Sequence, residues 1–121
     1  MPGVDFTWKI TGHLLLDGAM IDERDAAGWN GREITVTATS YESPFQGSCD
    51  GVARTRRMRE LSDVVIELGA PHSIISDYEL SDQVTEYKLT CREKTRPPLA
   101  MWVAGLRAMT CYNNVCFFMR H

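Results

Sequence analysis

The sequence has no excess of basic residues, since 13 lysines and arginines stand against 16 acids. A nucleic-acid-binding domain normally carries a basic footprint, so the formal charge of −3 argues against that class. Long apolar runs are missing too. The longest, around Val103–Met109, is interrupted by Gly105 and Arg107 and is too short to cross a membrane. We therefore expect no nucleic-acid partner and no membrane span.

The start of the chain shows no export signal. Met1–Asp5 has neither the basic region nor the hydrophobic stretch of a signal peptide, and no Asn-x-Ser/Thr acceptor site occurs anywhere. The chain does contain 4 cysteines, an even number that favours a disulfide framework in a small protein. We therefore expect a mature exported form, periplasmic or secreted, in preference to a cytosolic protein. The missing glycosylation site favours the bacterial periplasm.

Motifs of catalysis and metal binding are also missing. His13, His72 and His121 are scattered, whereas a zinc or copper site needs histidines at helix or strand spacing. Ser76–Asp82 has acids but lacks the turn glycine of a calcium loop, and its closing glutamate is replaced by Lys88. No serine lies in a Gly-x-Ser-x-Gly context. The sequence predicts a protein that is not an enzyme and has no metal or cofactor.

The most informative feature that is present is the segment from Cys111 to Cys116. Asn113–Asn114 suits a two-residue type I′ turn, because asparagine tolerates the positive φ angles that this turn requires. Tyr112 then faces Val115, and Cys111 faces Cys116 as a non-hydrogen-bonded pair, where a cross-strand disulfide can form. The pattern predicts a hairpin with an internal disulfide.

The hairpin disulfide leaves Cys49 to pair with Cys91. Such a bond would close a loop of about forty residues and stabilise the fold by roughly 4 kcal/mol through loop-closure entropy. A zinc site with all four cysteines is the alternative, although the spacing departs from the paired knuckles of structural zinc sites.

Alternating apolar and polar residues predict a β-rich α+β fold in a single domain that spans residues 1–121. We expect a small curled or barrel-like antiparallel sheet with two short helices. The first helix is predicted over Asp22–Trp29, and the second runs from Val64 to Leu68 after a Ser62–Asp63 cap. The predicted strands are Phe6–Thr11, Glu33–Tyr41, Thr85–Arg92, Leu99–Ala104, Leu106–Tyr112 and Val115–Arg120, whereas 51–59 fits either a strand or an irregular segment.

Three segments have the composition of a binding surface: Ser43–Asp50, the basic run Arg54–Arg59 and the loop Pro71–Asp82. Guanidinium groups bind anionic partners, and exposed aromatic rings anchor protein partners. A solvated strand edge is the competing interpretation of the basic run. The predicted partner-binding residues are Phe45, Arg54, Arg56, Arg57, Arg59, His72 and Tyr78.

The plan of a small, exported, β-rich chain with two disulfides resembles that of bacterial periplasmic inhibitors of lysozymes and proteases, and of immunity proteins. The resemblance is one of architecture, since the Ser-Gly-x-x-Tyr loop of the lysozyme inhibitors has no counterpart here. It implies a protein that occludes a protein partner, such as a secreted enzyme or effector, with its loops. The alternative is a small-molecule or lipid carrier with an apolar pocket inside the sheet, lined by Trp8, Leu15, Val36, Trp102 and Phe117.

Overall fold

The computed structural model describes residues 3–92 and 96–121, without the side chain of Ser76. The strands are β1 (Thr7–Leu15), β2 (Glu33–Val36), β3 (Ser40–Ser43), β4 (Gly47–Asp50), β5 (Ala53–Glu60), β6 (Gln83–Thr90), β7 (Leu99–Ala104), β8 (Arg107–Tyr112) and β9 (Val115–Arg120). The helices are α1 (Glu23–Ala27), α2 (Leu61–Leu68) and α3 (Ile74–Asp77).

Within the described ranges, the strands form one antiparallel sheet in the order β4-β3-β2-β1-β9-β8-β7-β6-β5. Each neighbouring pair except β1–β9 is consecutive in the chain, so two meanders join through the first and last strands. The sheet curls into a half-barrel, which confirms the predicted β-rich fold with a curled antiparallel sheet. Its two edge strands are β4 and β5, which follow each other in the chain but lie at opposite ends of the strand order.

Contacts between the two edge regions hold the sheet in its curled form. The backbone N–H of Val52 donates to the carbonyl of Thr39 at 2.8 Å, and the Arg54 guanidinium donates to the carbonyl of Thr37. The Cys49–Cys91 disulfide joins β4 to the residue that follows β6, with 5.9 Å between the Cα atoms. These contacts therefore join the two edge regions, which strand pairing does not connect within the described residues.

Apolar residues are buried on both faces of the sheet, in two clusters. The inner cluster fills the concave face with Trp8, Ile10, Ile34, Met101 and Met119 among others. The outer cluster lies between the sheet and the helices α2 and α3, and it includes Val64, Ile74, Trp102, Met109 and Phe118. Alternate residues of β7 and β9 thus enter different clusters, as the two-residue period of a strand requires.

The predicted hairpin is confirmed. Asn113 and Asn114 have φ angles of 51° and 62°, and Cys111 is paired in register with Cys116. The two cysteines form a disulfide with a Cα–Cα distance of 4.0 Å. Since the other two also pair, the alternative of a four-cysteine zinc site is wrong, and the described chain has no free cysteine.

The prediction of one strand over Glu33–Tyr41 is wrong, because the chain turns after Val36. The Thr37 hydroxyl accepts a hydrogen bond from the backbone N–H of Ser40 at 3.1 Å, and the Thr37 N–H donates to the Ser40 carbonyl at 2.9 Å. A threonine side chain that satisfies nearby backbone groups competes with strand pairing. The ambiguous segment 51–59 supplies an eight-residue strand, β5.

The second helix begins earlier than predicted. Leu61 is its first residue, and Glu60 precedes it without a side-chain capping bond, so Ser62 and Asp63 lie within the first turn and are not its cap. Burial of Leu61 against the outer cluster accounts for the earlier start. The helix ends at Gly69 with a φ of 70°, as the sequence predicts. The sequence also predicts a polar loop over Glu93–Pro98, which lies partly outside the described residues.

Candidate functional site

An apolar cavity of about 410 Å³ opens at the end of the half-barrel where β1 ends and β2 begins. Its volume lies within the usual range of small-molecule sites, roughly 300–1,000 Å³. The inner cluster fills the rest of the concave face, so the cavity is confined to one end of the half-barrel and does not extend through its interior. The lining residues are Met20, Ile21, Asp25, Gly28, Trp29, Arg32, Phe45, Tyr112, Asn113 and Phe117.

Four aromatic rings line the cavity. The Phe45 ring lies nearly parallel to those of Phe117 and Tyr112, with centroid distances of 4.6 Å and 5.5 Å. The Trp29 ring is tilted against Phe45 at 5.0 Å. Each ring is therefore held by its neighbours, which gives the wall a defined shape before any ligand enters.

Short-range contacts place these rings. Trp29 directly follows the α1 C-cap, Gly28, and its N–H donates to the carbonyl of Ala26 at 3.1 Å. Phe45 lies in the turn between β3 and β4, where its N–H donates to the buried Ser43 hydroxyl at 3.1 Å. The other two rings belong to the disulfide hairpin, so the hairpin's turn also fixes one side of the cavity.

Helix α1 forms the opposite side of the cavity and is fastened to β1. Glu23 Oε2 lies 2.6 Å from Nε2 of His13, whose side chain is 13% exposed. At the start of the helix, the Asp22 carboxylate accepts the N–H of Asp25 at 2.8 Å. The cap stabilises the helix, and the His13–Glu23 contact keeps it, and with it Trp29, beside the end of β1.

The rim of the cavity is polar and charged. The Arg32 guanidinium lies 5.5 Å from the centre of the Trp29 ring, in a cation–π contact. Asp25 and Asn113 line the same rim, and Met20 is almost fully exposed beside them. Among the described residues, neither Arg32 nor Asp25 has a side-chain ion pair, so both charges are available to a ligand.

The basic run is largely engaged within the protein itself. Arg57 and Arg59 each donate to the carboxylate of Glu86 at 2.8 Å, and Arg59 also pairs with Glu67 at 2.6 Å. Arg54, on the other face of β5, pairs with Asp5 at 2.7 Å. Three of the four arginines predicted to bind a partner therefore already have carboxylate partners.

Arg56 and His72 are the remaining arginine and the histidine of the predicted surface, and both side chains are exposed. They lie on different elements, Arg56 on the edge strand β5 and His72 in the loop before α3. Within the described part of the chain, Arg56 forms no ion pair. The structure does not bring either residue to the cavity.

Tyr78 and Phe45, the two aromatic residues of the predicted partner surface, have different surroundings. Tyr78 stacks on Phe118 with 3.5 Å between ring centroids, and its hydroxyl donates to the His13 carbonyl at 3.3 Å. It also covers Gly12, where an added Cβ would lie 3.0 Å from the ring. Tyr78 thus packs on the outer face, whereas Phe45 lines the cavity.

The surroundings of Tyr78 and of Glu86 shift the pKa values of their side chains. Burial raises the pKa of Tyr78, with a further contribution from Asp77 and Glu23. Burial alone would raise the pKa of Glu86, but the hydrogen bonds from Arg57 and Trp102 together with the charges of Arg57 and Arg59 outweigh it, so this pKa lies below its ordinary value. Glu86 is therefore a charged structural carboxylate on the outer face, remote from the cavity.

The predicted pocket residues match the cavity only in part. Phe117 lines it, but Trp8 and Val36 are buried in the inner cluster. Leu15 packs against that cluster, and Trp102 is buried in the outer cluster. Trp29 packs against the inner cluster and also lines the cavity, a role that the sequence analysis does not predict. Its place after a short helix with a terminal glycine was the available signal, because a residue at a helix end is less constrained to the core.

Comparisons with known proteins add no further assignment, since the chain matches no protein-family model and no curated protein or solved structure is significantly similar to it. Within residues 3–92 and 96–121, no cluster of three or more His, Cys, Asp or Glu side chains has the geometry of a metal site. In the same part of the chain, no helix is long and apolar enough to cross a membrane.

Proposed function

We propose that the protein is an exported, non-enzymatic binding protein that carries a small molecule with apolar groups in the aromatic cavity. The observation that carries this proposal is the cavity itself, which combines about 410 Å³ of space with four ordered aromatic rings. Sites for small molecules are concave and mostly apolar, with a few polar groups at defined positions. Arg32, Asp25 and Asn113 supply such groups at the rim.

Two disulfides support the exported location. Cys49–Cys91 and Cys111–Cys116 are both formed, which is compatible with an oxidising compartment. We propose the periplasm of a bacterium. If this is right, protein exported to the periplasm has an intact mass lower by two hydrogens per disulfide than the reduced form. Protein that stays fully reduced after export and still folds would contradict this location.

The inhibitor hypothesis remains a prediction that the geometry favours less. Its basic surface would require arginines that are free to meet an anionic partner, but Arg54, Arg57 and Arg59 pair with Asp5 and Glu86. Freeing them would cost the interactions they now make. A carrier needs no such rearrangement, because the cavity is already open in the structure.

The carrier function can be tested by titration with the neutral fluorescent probe N-phenyl-1-naphthylamine. We expect saturable binding to the wild-type protein and an affinity about tenfold or more lower in Phe45→Ala, which removes one wall of the cavity. Ile66→Ala is the matched control, because Ile66 is 69% exposed on α2. No saturable binding to the wild type, or an equal loss in both variants, would contradict the proposal.

A further inference from the structure

The aromatic cavity has the chemistry of a site for an organic cation. We propose, building on the carrier function above, that its ligand is a small molecule with a quaternary or alkylated ammonium group. Rings of Trp29, Phe45, Tyr112 and Phe117 line the space. The negative face of an aromatic ring attracts a cation. Phe45 stacks on Phe117 and Tyr112, so among the described residues the face of Trp29 is the one in contact with a positive charge.

A cation already lies on one of these rings. The Arg32 guanidinium is 5.5 Å from the centre of the Trp29 ring, and Arg32 lines the cavity. Arg32 is exposed, and among the described residues no ion pair holds its guanidinium in this position. The contact marks a face of Trp29 that accepts positive charge and that a ligand can occupy in its place.

The charge around the cavity has the sign that a cation needs. Helix α1 and its flanking segments, residues 17–32, carry four carboxylates and two guanidiniums. Asp25 lines the rim, and no ion pair compensates its side chain within the described ranges. The lining itself holds one carboxylate, Asp25, and one guanidinium, Arg32, so the net negative charge comes from the acids beyond it. Such a field concentrates cationic ligands near the cavity and disfavours anionic ones.

The polar groups stand at the rim and the rings lie behind them. An alkylated ammonium group suits this order, because its methyl groups contact the rings without needing hydrogen-bond donors or acceptors in the wall. A primary ammonium ion or a carboxylate would lose hydrogen bonds to water on entering the apolar cavity, which costs free energy. The arrangement therefore selects charge without demanding a polar pocket.

The test compares choline with its neutral isostere 3,3-dimethylbutan-1-ol, in which carbon replaces the charged nitrogen, and with the anion 3,3-dimethylbutyrate. Binding is followed by ligand-detected and amide NMR titration of the wild-type protein. We expect choline to bind tighter than the alcohol by about twofold to thirtyfold, the range for exposed to desolvated cation–π contacts. The anion should bind most weakly.

Two variants report the sign and the source of this preference. Arg32→Gln removes the competing cation and should tighten choline binding, whereas an anionic ligand that depends on Arg32 would be weakened. Tyr112→Leu removes one ring and should reduce the preference for choline over the alcohol, whereas the matched variant Tyr112→Phe should keep it. Tyr112 lies beside the turn of the hairpin, so both changes leave the core in place.

The outcomes separate this inference from the carrier function. Equal or tighter binding of the alcohol, or weaker choline binding in Arg32→Gln, would overturn the cation assignment. If N-phenyl-1-naphthylamine binds in the cavity but choline does not, the cation assignment is wrong and the carrier function stands. If none of the compounds binds, both are wrong.

Discussion

At the residue scale, the carboxylate of Glu86 accepts hydrogen bonds from Arg57, Arg59 and Trp102, each at 2.8 Å. Glu86 is only 3% exposed, and the side chain of Arg59 is 11% exposed. A buried carboxylate is tolerated when its oxygens are paired in this way. The network also ties α2 to the sheet, because Arg59 reaches Glu67 on that helix.

Glu86→Gln should therefore destabilise the protein by about 3 kcal/mol, since it leaves the largely buried Arg59 with less compensation. The expected loss of stability is at the low end for such changes, because the Arg57 side chain is 60% exposed and water therefore reaches part of the network. Urea unfolding measures the difference. Arg57→Gln is the control and should cost about 1 kcal/mol or less. Equal losses in the two variants would contradict this account of the network.

The same carboxylate makes stability depend on pH. The pKa of Glu86 is lower in the folded state than its ordinary value, so the unfolded chain binds its proton at a higher pH than the folded protein does. Its stabilising contribution is present above the ordinary glutamate pKa and is lost as the pH falls through the lowered one. The wild type should lose more stability than Glu86→Gln between neutral and acidic pH, measured by urea unfolding. Parallel pH profiles would contradict this.

At the element scale, the two disulfides constrain loops of very different length. Cys49 and Cys91 are 42 positions apart, whereas Cys111 and Cys116 are 5 apart and already opposite each other in a hairpin. The entropy removed from the unfolded chain grows with the length of the closed loop. The long-range bond also joins the two edge regions of the sheet, a task that no strand pairing performs within the described residues.

We predict that replacing Cys49 and Cys91 by serine costs about 4 kcal/mol and replacing Cys111 and Cys116 about 2 kcal/mol. Chemical unfolding of the two double variants under non-reducing conditions measures the order. Each variant serves as the control for the other, because each retains one disulfide. A larger loss in the hairpin variant would show that the half-barrel does not depend on its long-range closure.

The elements also show what local sequence determines. The hairpin was predictable to the residue, because two asparagines with positive φ and the pairing of Cys111 with Cys116 are all local. The break after Val36 was not, because the alternation of Ile34, Val36 and Ala38 continues past it while the Thr37 side chain forms a turn. An alternating pattern indicates which face of a strand is buried, but it does not indicate where a side chain hydrogen-bonds to the backbone in place of a neighbouring strand.

At the scale of the whole molecule, the cavity combines segments that are far apart in the sequence. Trp29 follows α1, Phe45 lies in the β3–β4 turn, and Tyr112 and Phe117 belong to the last hairpin. The sequence predicted a curled sheet and an aromatic Phe45 near the surface. It did not predict which rings meet, because that depends on how the strands of both meanders end at one side of the half-barrel.

The basic run shows the same limit. Its period-two pattern correctly separates Arg54 and Arg56 from Arg57 and Arg59, but their partners Asp5 and Glu86 lie in other strands or at the start of the chain. Whether an exposed-looking arginine is free depends on long-range pairing. Such pairing turns a predicted binding surface into a stabilising one.

The most direct test of the carrier function is amide NMR shift mapping of the full chain during titration with N-phenyl-1-naphthylamine. We predict saturable shifts concentrated at the α1 end, the β3–β4 turn and the β8–β9 turn, because these segments surround the cavity. Helix α2 and strand β5 should stay unchanged. Shifts centred on α2 or β5, or no saturable shifts at all, would contradict the assignment of the aromatic cavity as a binding site.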